Sequence, residues 1–164
     1  MSSTPPPPRP LLGVPAGVWG LSAVILVNRA GTMVMPFLSL YLTQKLGLPK
    51  ESAGIVIATY GAGAMVGVML GGYLSDRIGP ATVMLTSLVL SAVALLILGG
   101  LRTSGDIQVC LFLFAVVADM FRPANAAAIA TACPARYQSR AFAVQRLAVN
   151  AGMTIGPAIG GYLA

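Results

Sequence analysis

Four ionisable side chains fall where an otherwise apolar sequence should exclude them: Arg29, Asp119, Arg122 and Arg146. A charge near the centre of a membrane-spanning helix costs about 2.5 to 3.5 kcal/mol on insertion scales, so it needs a partner, a water-filled cavity or a function. Asp119 and Arg122 are three apart, on one helical face, and can pair with each other. Arg29, in Val27-Asn28-Arg29-Ala30-Gly31, is either the ion-pair partner of a neighbouring helix or, with Asn28, part of a cavity wall. Arg146 lies nearer the end of its apolar run, where a long side chain reaches the interface. Asn150, one turn on, can share a hydrogen bond with it as a structural polar pair. Three of these charges are positive and one is negative. The compensation comes either from carboxylates outside this sequence or from an anion received in a cavity.

The elements that hold these groups follow from composition. Hydrophobic residues make up 57% of the chain and charged residues 9%, with a mean hydropathy of +0.85; soluble domains carry about 25% charged residues. Windows of about 20 residues divide the chain into five apolar segments, 18–42, 53–74, 81–100, 107–132 and 141–164. They are apolar all round, as lipid selects. Ten-residue alternating segments of the kind that build a β-barrel are absent. The expected fold is an all-α transmembrane helix bundle spanning residues 14–164, preceded by a disordered, Pro-rich tail over residues 1–13. That tail lacks the pattern of a signal peptide. Arg9, Arg77, Arg136 and Arg140 fall on one side of the implied topology, and Lys45, Lys50 and Arg102 on the other. The small excess favours a cytoplasmic N-terminus.

Several functions are disfavoured at once. The net charge of +6 is scattered without a basic cluster or aromatic platform, so no nucleic-acid partner is expected. The chain has no His, and Cys110 and Cys133 lie far apart on one segment, so no metal site or cofactor is expected. No nucleophile sits at helical spacing from a base, which argues against an intramembrane enzyme.

Small residues form two patterns. Gly63, Gly67 and Gly71 recur every fourth position on the second segment and offer a smooth face to another helix. The fifth segment carries Gly152, Gly156, Pro157, Gly160 and Gly161, in which the proline bends the helix and the glycines form a groove.

Three local motifs, in order, resemble those of the major facilitator superfamily. Gly72-Tyr73-Leu74-Ser75-Asp76-Arg77-Ile78-Gly79 is similar to the family's G-x-L-(A/S)-D-R-x-G loop between the second and third spans. Arg122-Pro123-Ala124-Asn125-Ala126 is similar to its R-x-x-Q-G element, with Asn and Ala replacing Gln and Gly. The fifth segment matches G-x-x-x-G-P-x-x-G-G at every fixed position, a pattern associated in the family with proton-coupled antiporters. Pro80 and Ala81 stand where the family usually continues its loop with basic residues.

The resemblance implies a secondary transporter of twelve spans in two six-helix halves, working by alternating access. This chain then corresponds to about five spans of an N-terminal half, a fragment whose partner is the missing C-terminal half of the same transporter. The implied activity is efflux of a small-molecule substrate across the cell's plasma (inner) membrane, energised by a proton gradient, as in multidrug resistance. A facilitator or symporter for a sugar or other metabolite, or a truncated non-transporting membrane subunit, are the alternatives. Asn28, Arg29, Asp119 and Arg122 become candidates for the substrate and proton pathway, with Asp119 the proton site and Arg122 or Arg29 its counter-ion. Arg29 stands where many exporters of cationic drugs carry an acid, which argues against a lipophilic cation. Gly72, Asp76, Arg77 and Gly79 become a cytoplasmic gate loop, and the two glycine patterns become hinges and surfaces toward the other half.

Overall fold

A computed structural model describes residues 14–31, 43–44 and 49–163. The predicted Pro-rich tail and the second part of the first span lie outside them. Among the described residues six α-helices follow one another: α1 (Ala16–Gly31), α2 (Lys50–Ile78), α3 (Pro80–Gly100), α4 (Ser104–Asp119), α5 (Phe121–Ala132) and α6 (Gln138–Leu163), with a 3-10 turn at Ala135–Tyr137 before α6. There is no strand among the described residues. Gly54–Ile78, Pro80–Gly100 and Ser104–Ala132 are long and apolar enough to cross a membrane. The chain therefore forms an all-α membrane helix bundle.

Two boundaries differ from the sequence expectation. The connection expected over Ser75 to Pro80 is helical as far as Ile78, and Gly79 alone separates α2 from α3. Gly79 takes a φ of +88°, which L side chains rarely adopt. Its N–H donates to the Ser75 carbonyl at 3.1 Å, and its own carbonyl accepts from the N–H of Val83 at 3.3 Å. Pro80 then opens α3 at a position where a missing N–H costs nothing. The glycine and proline that read as a loop are thus a one-residue corner.

The fourth apolar segment is likewise not one continuous helix. It is interrupted at Met120, between α4 and α5. Pro123 supplies the reason, because it has no N–H for the Asp119 carbonyl and its ring crowds that turn. In α6, by contrast, the helix runs unbroken through Pro157.

Glycines set which helices touch. A Cβ on Gly63 would meet the Phe112 carbonyl at 2.6 Å, one on Gly67 would lie 3.0 Å from Val116 Cα, and one on Gly71 would meet the Met120 carbonyl at 2.6 Å. The two series rise together, so α2 and the α4–α5 segment pack in parallel, backbone against backbone. Gly152 and Gly156 do the same against α1, where a Cβ on Gly152 would lie 2.8 Å from Arg29 Cβ and one on Gly156 would lie 2.9 Å from Ala30 Cα. Gly160 continues this buried row, whereas Gly161 is exposed with nothing within 4 Å of an added Cβ. The expectation that these rows face another half is corrected for Gly63, Gly67, Gly71, Gly152 and Gly156, which are used inside this bundle.

Apolar clusters fill the space between the pairs. Val56, Ile107, Leu111 and Phe114 join α2 to α4, with Leu95 and Leu98 of α3 packed on them. Ile25, Val83, Phe121, Ala124 and Ala148 join α1, α3, α5 and α6. Burial separates the roles of the spans: 44% of the apolar window in Ser104–Ala132 is buried against 17% in Pro80–Gly100. The interrupted segment is therefore central, and α3 presents Leu85, Val89, Leu96 and Ile97 outward.

Candidate functional site

The interruption of the central segment carries the charged residues. Asp119 ends α4 and is buried, its side chain 8% exposed, while Arg122 in the first turn of α5 is 58% exposed. Arg122 Nη1 lies 3.6 Å from Asp119 Oδ1, as the spacing of three allows. The other carboxylate oxygen accepts a hydrogen bond at 3.2 Å from the hydroxyl of Tyr60, on α2. Arg29, in the last turn of α1, lines one pocket with Asp119 and Tyr60. Three packed elements thus converge on one carboxylate.

Two pockets flank this cluster. A pocket of about 500 Å³ is lined by Asn28, Arg29, Tyr60, Ser91, Phe114 and Asp119 together with apolar side chains of α1, α3 and α4. The hydroxyl of Ser91, on its wall, is buried without a hydrogen-bond partner. A second pocket of about 680 Å³ is lined by Arg29, Arg122, Gln145, Arg146 and Asn150, with Ile25, Val68 and Met153 among its apolar wall residues. Arg29 lines both.

Of the residues singled out in the sequence, Asn28, Arg29, Asp119 and Arg122 come together at these pockets. Arg146 and Asn150 are both exposed and line the second pocket side by side; the hydrogen bond expected between them does not form. Gly72, Asp76, Arg77 and Gly79 lie at the far end of α2. Asp76 and Arg77 are exposed there, and the Arg77 guanidinium sits 5.2 Å from the centre of the Tyr73 ring.

Two contributors escaped the sequence reading. Tyr60 lies three residues before Gly63, so it shares the face that meets α4, a signal available in the spacing. Gln145 donates to Asn125 Oδ1 at 2.7 Å, and Asn125, fully buried, donates through its amide nitrogen to the Leu21 carbonyl at 3.2 Å. This amide chain ties α6, α5 and α1 beneath the second pocket. Ser87 adds a clamp by donating to the Val117 carbonyl at 2.6 Å, which holds α3 on α4.

An all-α membrane bundle holding a buried carboxylate between a tyrosine and an arginine places the chain among the polytopic helical membrane proteins. Residues 20–164 match the Major Facilitator Superfamily, and the chain belongs to that family. It is similar to the uncharacterized MFS-type transporter YqjV of Bacillus subtilis (strain 168), at 29% identity over 138 residues, 82% of this chain and 33% of the relative. It is similar also to a Na(+), Li(+), K(+)/H(+) antiporter of Planococcus maritimus, at 29% identity over 142 residues, 84% of this chain and 33% of the relative. The quinolone resistance protein NorA of Staphylococcus aureus (strain MRSA252) matches at 26% identity over 132 residues, 80% of this chain and 34% of the relative. The chain spans about a third of the length of the curated relatives it matches.

Proposed function

We propose that this chain forms most of the N-terminal half of a secondary transporter that exports a small molecule in exchange for protons by alternating access. The observation that carries the reading is the placement of Asp119, a buried carboxylate held by Tyr60 and Arg122 with Arg29 close by. In the charged state the carboxylate engages the arginines. Exchange requires that proton and substrate exclude one another: a polar substrate donates to the charged Asp119, a proton arriving on that oxygen removes the acceptor and releases the substrate, and proton loss restores the site. A relative named for exchange of Na(+), Li(+) and K(+) against H(+) supports proton coupling, and one named for quinolone resistance supports outward movement of a drug-like molecule. In this reading the missing C-terminal half completes the pathway, the N-terminus is cytoplasmic, the membrane is the plasma membrane, and Asp76 and Arg77 form a cytoplasmic gate.

The test is uptake and efflux by the protein expressed from its own reading frame, in proteoliposomes with an imposed pH gradient. Asp119→Asn is expected to abolish gradient-driven flux. Flux that survives the substitution removes Asp119 as the proton site. Flux in the same direction with and without the gradient would instead identify a facilitator.

A further inference from the structure

The first pocket meets only one member of the ion pair. Asp119 lines it, whereas Arg122 lines the second pocket. Arg122 Nη1 stands 3.6 Å from Asp119 Oδ1, beyond the length of a hydrogen bond, and Tyr60 donates to the other oxygen at 3.2 Å. An ionised carboxylate offers roughly four acceptor sites. Asp119 therefore keeps acceptor capacity, and the first pocket is where a ligand reaches it.

The rest of the lining decides what approaches. Val24, Val27, Leu88, Leu95 and Phe114 are apolar, and the rings of Phe114 and Tyr60 lie 6.3 Å apart at 41°, forming one aromatic wall. A volume of about 500 Å³ suits a drug-sized molecule. Arg29 shares the lining, so the pocket carries one base and one acid. A cation set on the carboxylate meets the guanidinium, an anion set on the guanidinium meets the carboxylate, and either gives up its hydration to apolar walls. A neutral donor avoids these costs and still makes a charge-assisted hydrogen bond. Ser91 offers a second contact. Thr59, Ser75 and Thr86 donate to carbonyls of their own helices, but the Ser91 hydroxyl is buried in the pocket wall without a partner, where an acceptor on a ligand would satisfy it. We propose that this pocket binds an uncharged, largely apolar molecule whose O–H or N–H donates to Asp119 and whose body lies along Phe114, Leu88, Leu95 and Val24. The proposal rests on the exchange reading only for the role of the ligand as cargo, because binding itself is an equilibrium property.

The probe is tritiated para-phenylphenol, uncharged at neutral pH, titrated at equilibrium against the protein expressed from its own reading frame in phosphatidylcholine nanodiscs, with empty nanodiscs subtracted. Saturable binding is expected. The methyl ether, para-methoxybiphenyl, lacks the donor and is expected to displace the probe about tenfold less well, since hydrogen bonds to charged groups are the strong ones. The trimethylammonium and sulfonate analogues of biphenyl are expected to be weak displacers too. Asp119→Asn is expected to weaken binding about tenfold. Ala92→Phe adds bulk at an exposed position of the same lining and should weaken binding as much with the carboxylate intact. Equal displacement by the methyl ether or by either charged analogue overturns the proposal, as does unaltered affinity in either variant. Absence of saturable binding overturns it as well and points to another segment of the full protein as the occupant. Loss of gradient-driven flux in Asp119→Asn beside binding that ignores Ala92→Phe would keep the proton role and remove the ligand. Flux surviving in Asp119→Asn beside binding lost in Ala92→Phe would do the reverse.

Discussion

The hydroxyl of Tyr60 donates to Asp119 Oδ2 at 3.2 Å, joining α2 to the central segment at the point where α4 gives way to α5. Arg122 approaches the other oxygen at 3.6 Å. The two neighbours respond differently to a proton on the carboxylate: the arginine loses its attraction, while a phenol can donate or accept in either state. In the proposed exchange cycle Tyr60 keeps the carboxyl group in register when the ion pair is gone.

Removing that hydroxyl is the first test. A hydrogen bond to a charged group contributes about 1.5 to 3 kcal/mol, so Tyr60→Phe is expected to slow gradient-driven flux roughly tenfold without unfolding the bundle. Initial rates in proteoliposomes, beside circular dichroism of the variant, read both effects. An unaltered rate would leave Tyr60 as packing only.

The glycine row of α2 makes a stability prediction with its own control. At Gly67 an added Cβ would run into the Val116 carbonyl, with Val116 Cα at 3.0 Å, and backbone cannot rotate away, whereas at Gly72 nothing lies within 4 Å. Overpacking of this kind costs about 1 to 3 kcal/mol. Gly67→Ala should lower the thermal midpoint in detergent and Gly72→Ala should leave it nearly unchanged. Equal midpoints would refute the tight contact of α2 with α4.

Gly79 tests conformation rather than space. An added Cβ there also meets nothing within 4 Å, yet its φ of +88° is strained for any L residue. Gly79→Ala is expected to cost about 1 to 3 kcal/mol and to increase hydrogen exchange at Val83, whose N–H bonds to the Gly79 carbonyl. Protection at Val83 that matches the parent protein would show that the corner tolerates a side chain.

The amide chain from Gln145 through Asn125 to Leu21 should behave as a unit. Asn125→Ala removes the acceptor of the half-buried Gln145 amide and the side-chain donor to the Leu21 carbonyl, which remains within the backbone ladder of α1, and an unsatisfied buried group costs about 1 to 3 kcal/mol. A double-mutant cycle with Gln145→Ala should give a coupling energy of at least about 0.5 kcal/mol. Additive losses would mean that the two amides act separately.

Much of this was legible in the sequence because lipid imposes it. The apolar runs marked the helices, the four-residue glycine spacing marked close contact, and charges at membrane depth marked the cluster of Arg29, Asp119 and Arg122. Helix ends were less legible, since hydropathy reports where apolar character stops and not where backbone hydrogen bonds stop; α2 therefore runs on through Asp76 and Arg77 to Ile78. The choice of neighbour was not legible at all. Gly63 offers a smooth face to any helix, and only the three-dimensional arrangement gives it Phe112. Tyr60 and Gln145 were missed for the same reason: each acts across a helix interface, on a partner far away in sequence.

Because α2 is helical from Lys50 to Ile78, Asp76 and Arg77 do not ride on a pliant loop. They stand at one end of a stiff rod that also carries Tyr60, and at a rise of 1.5 Å per residue about 24 Å separate Asp76 from that tyrosine. The single residue at Gly79 leaves no slack between this rod and α3. The backbone contacts at Gly63, Gly67 and Gly71 lie between those two points, so the family's signature residues and the tyrosine that holds Asp119 belong to one stiff element seated along the central segment.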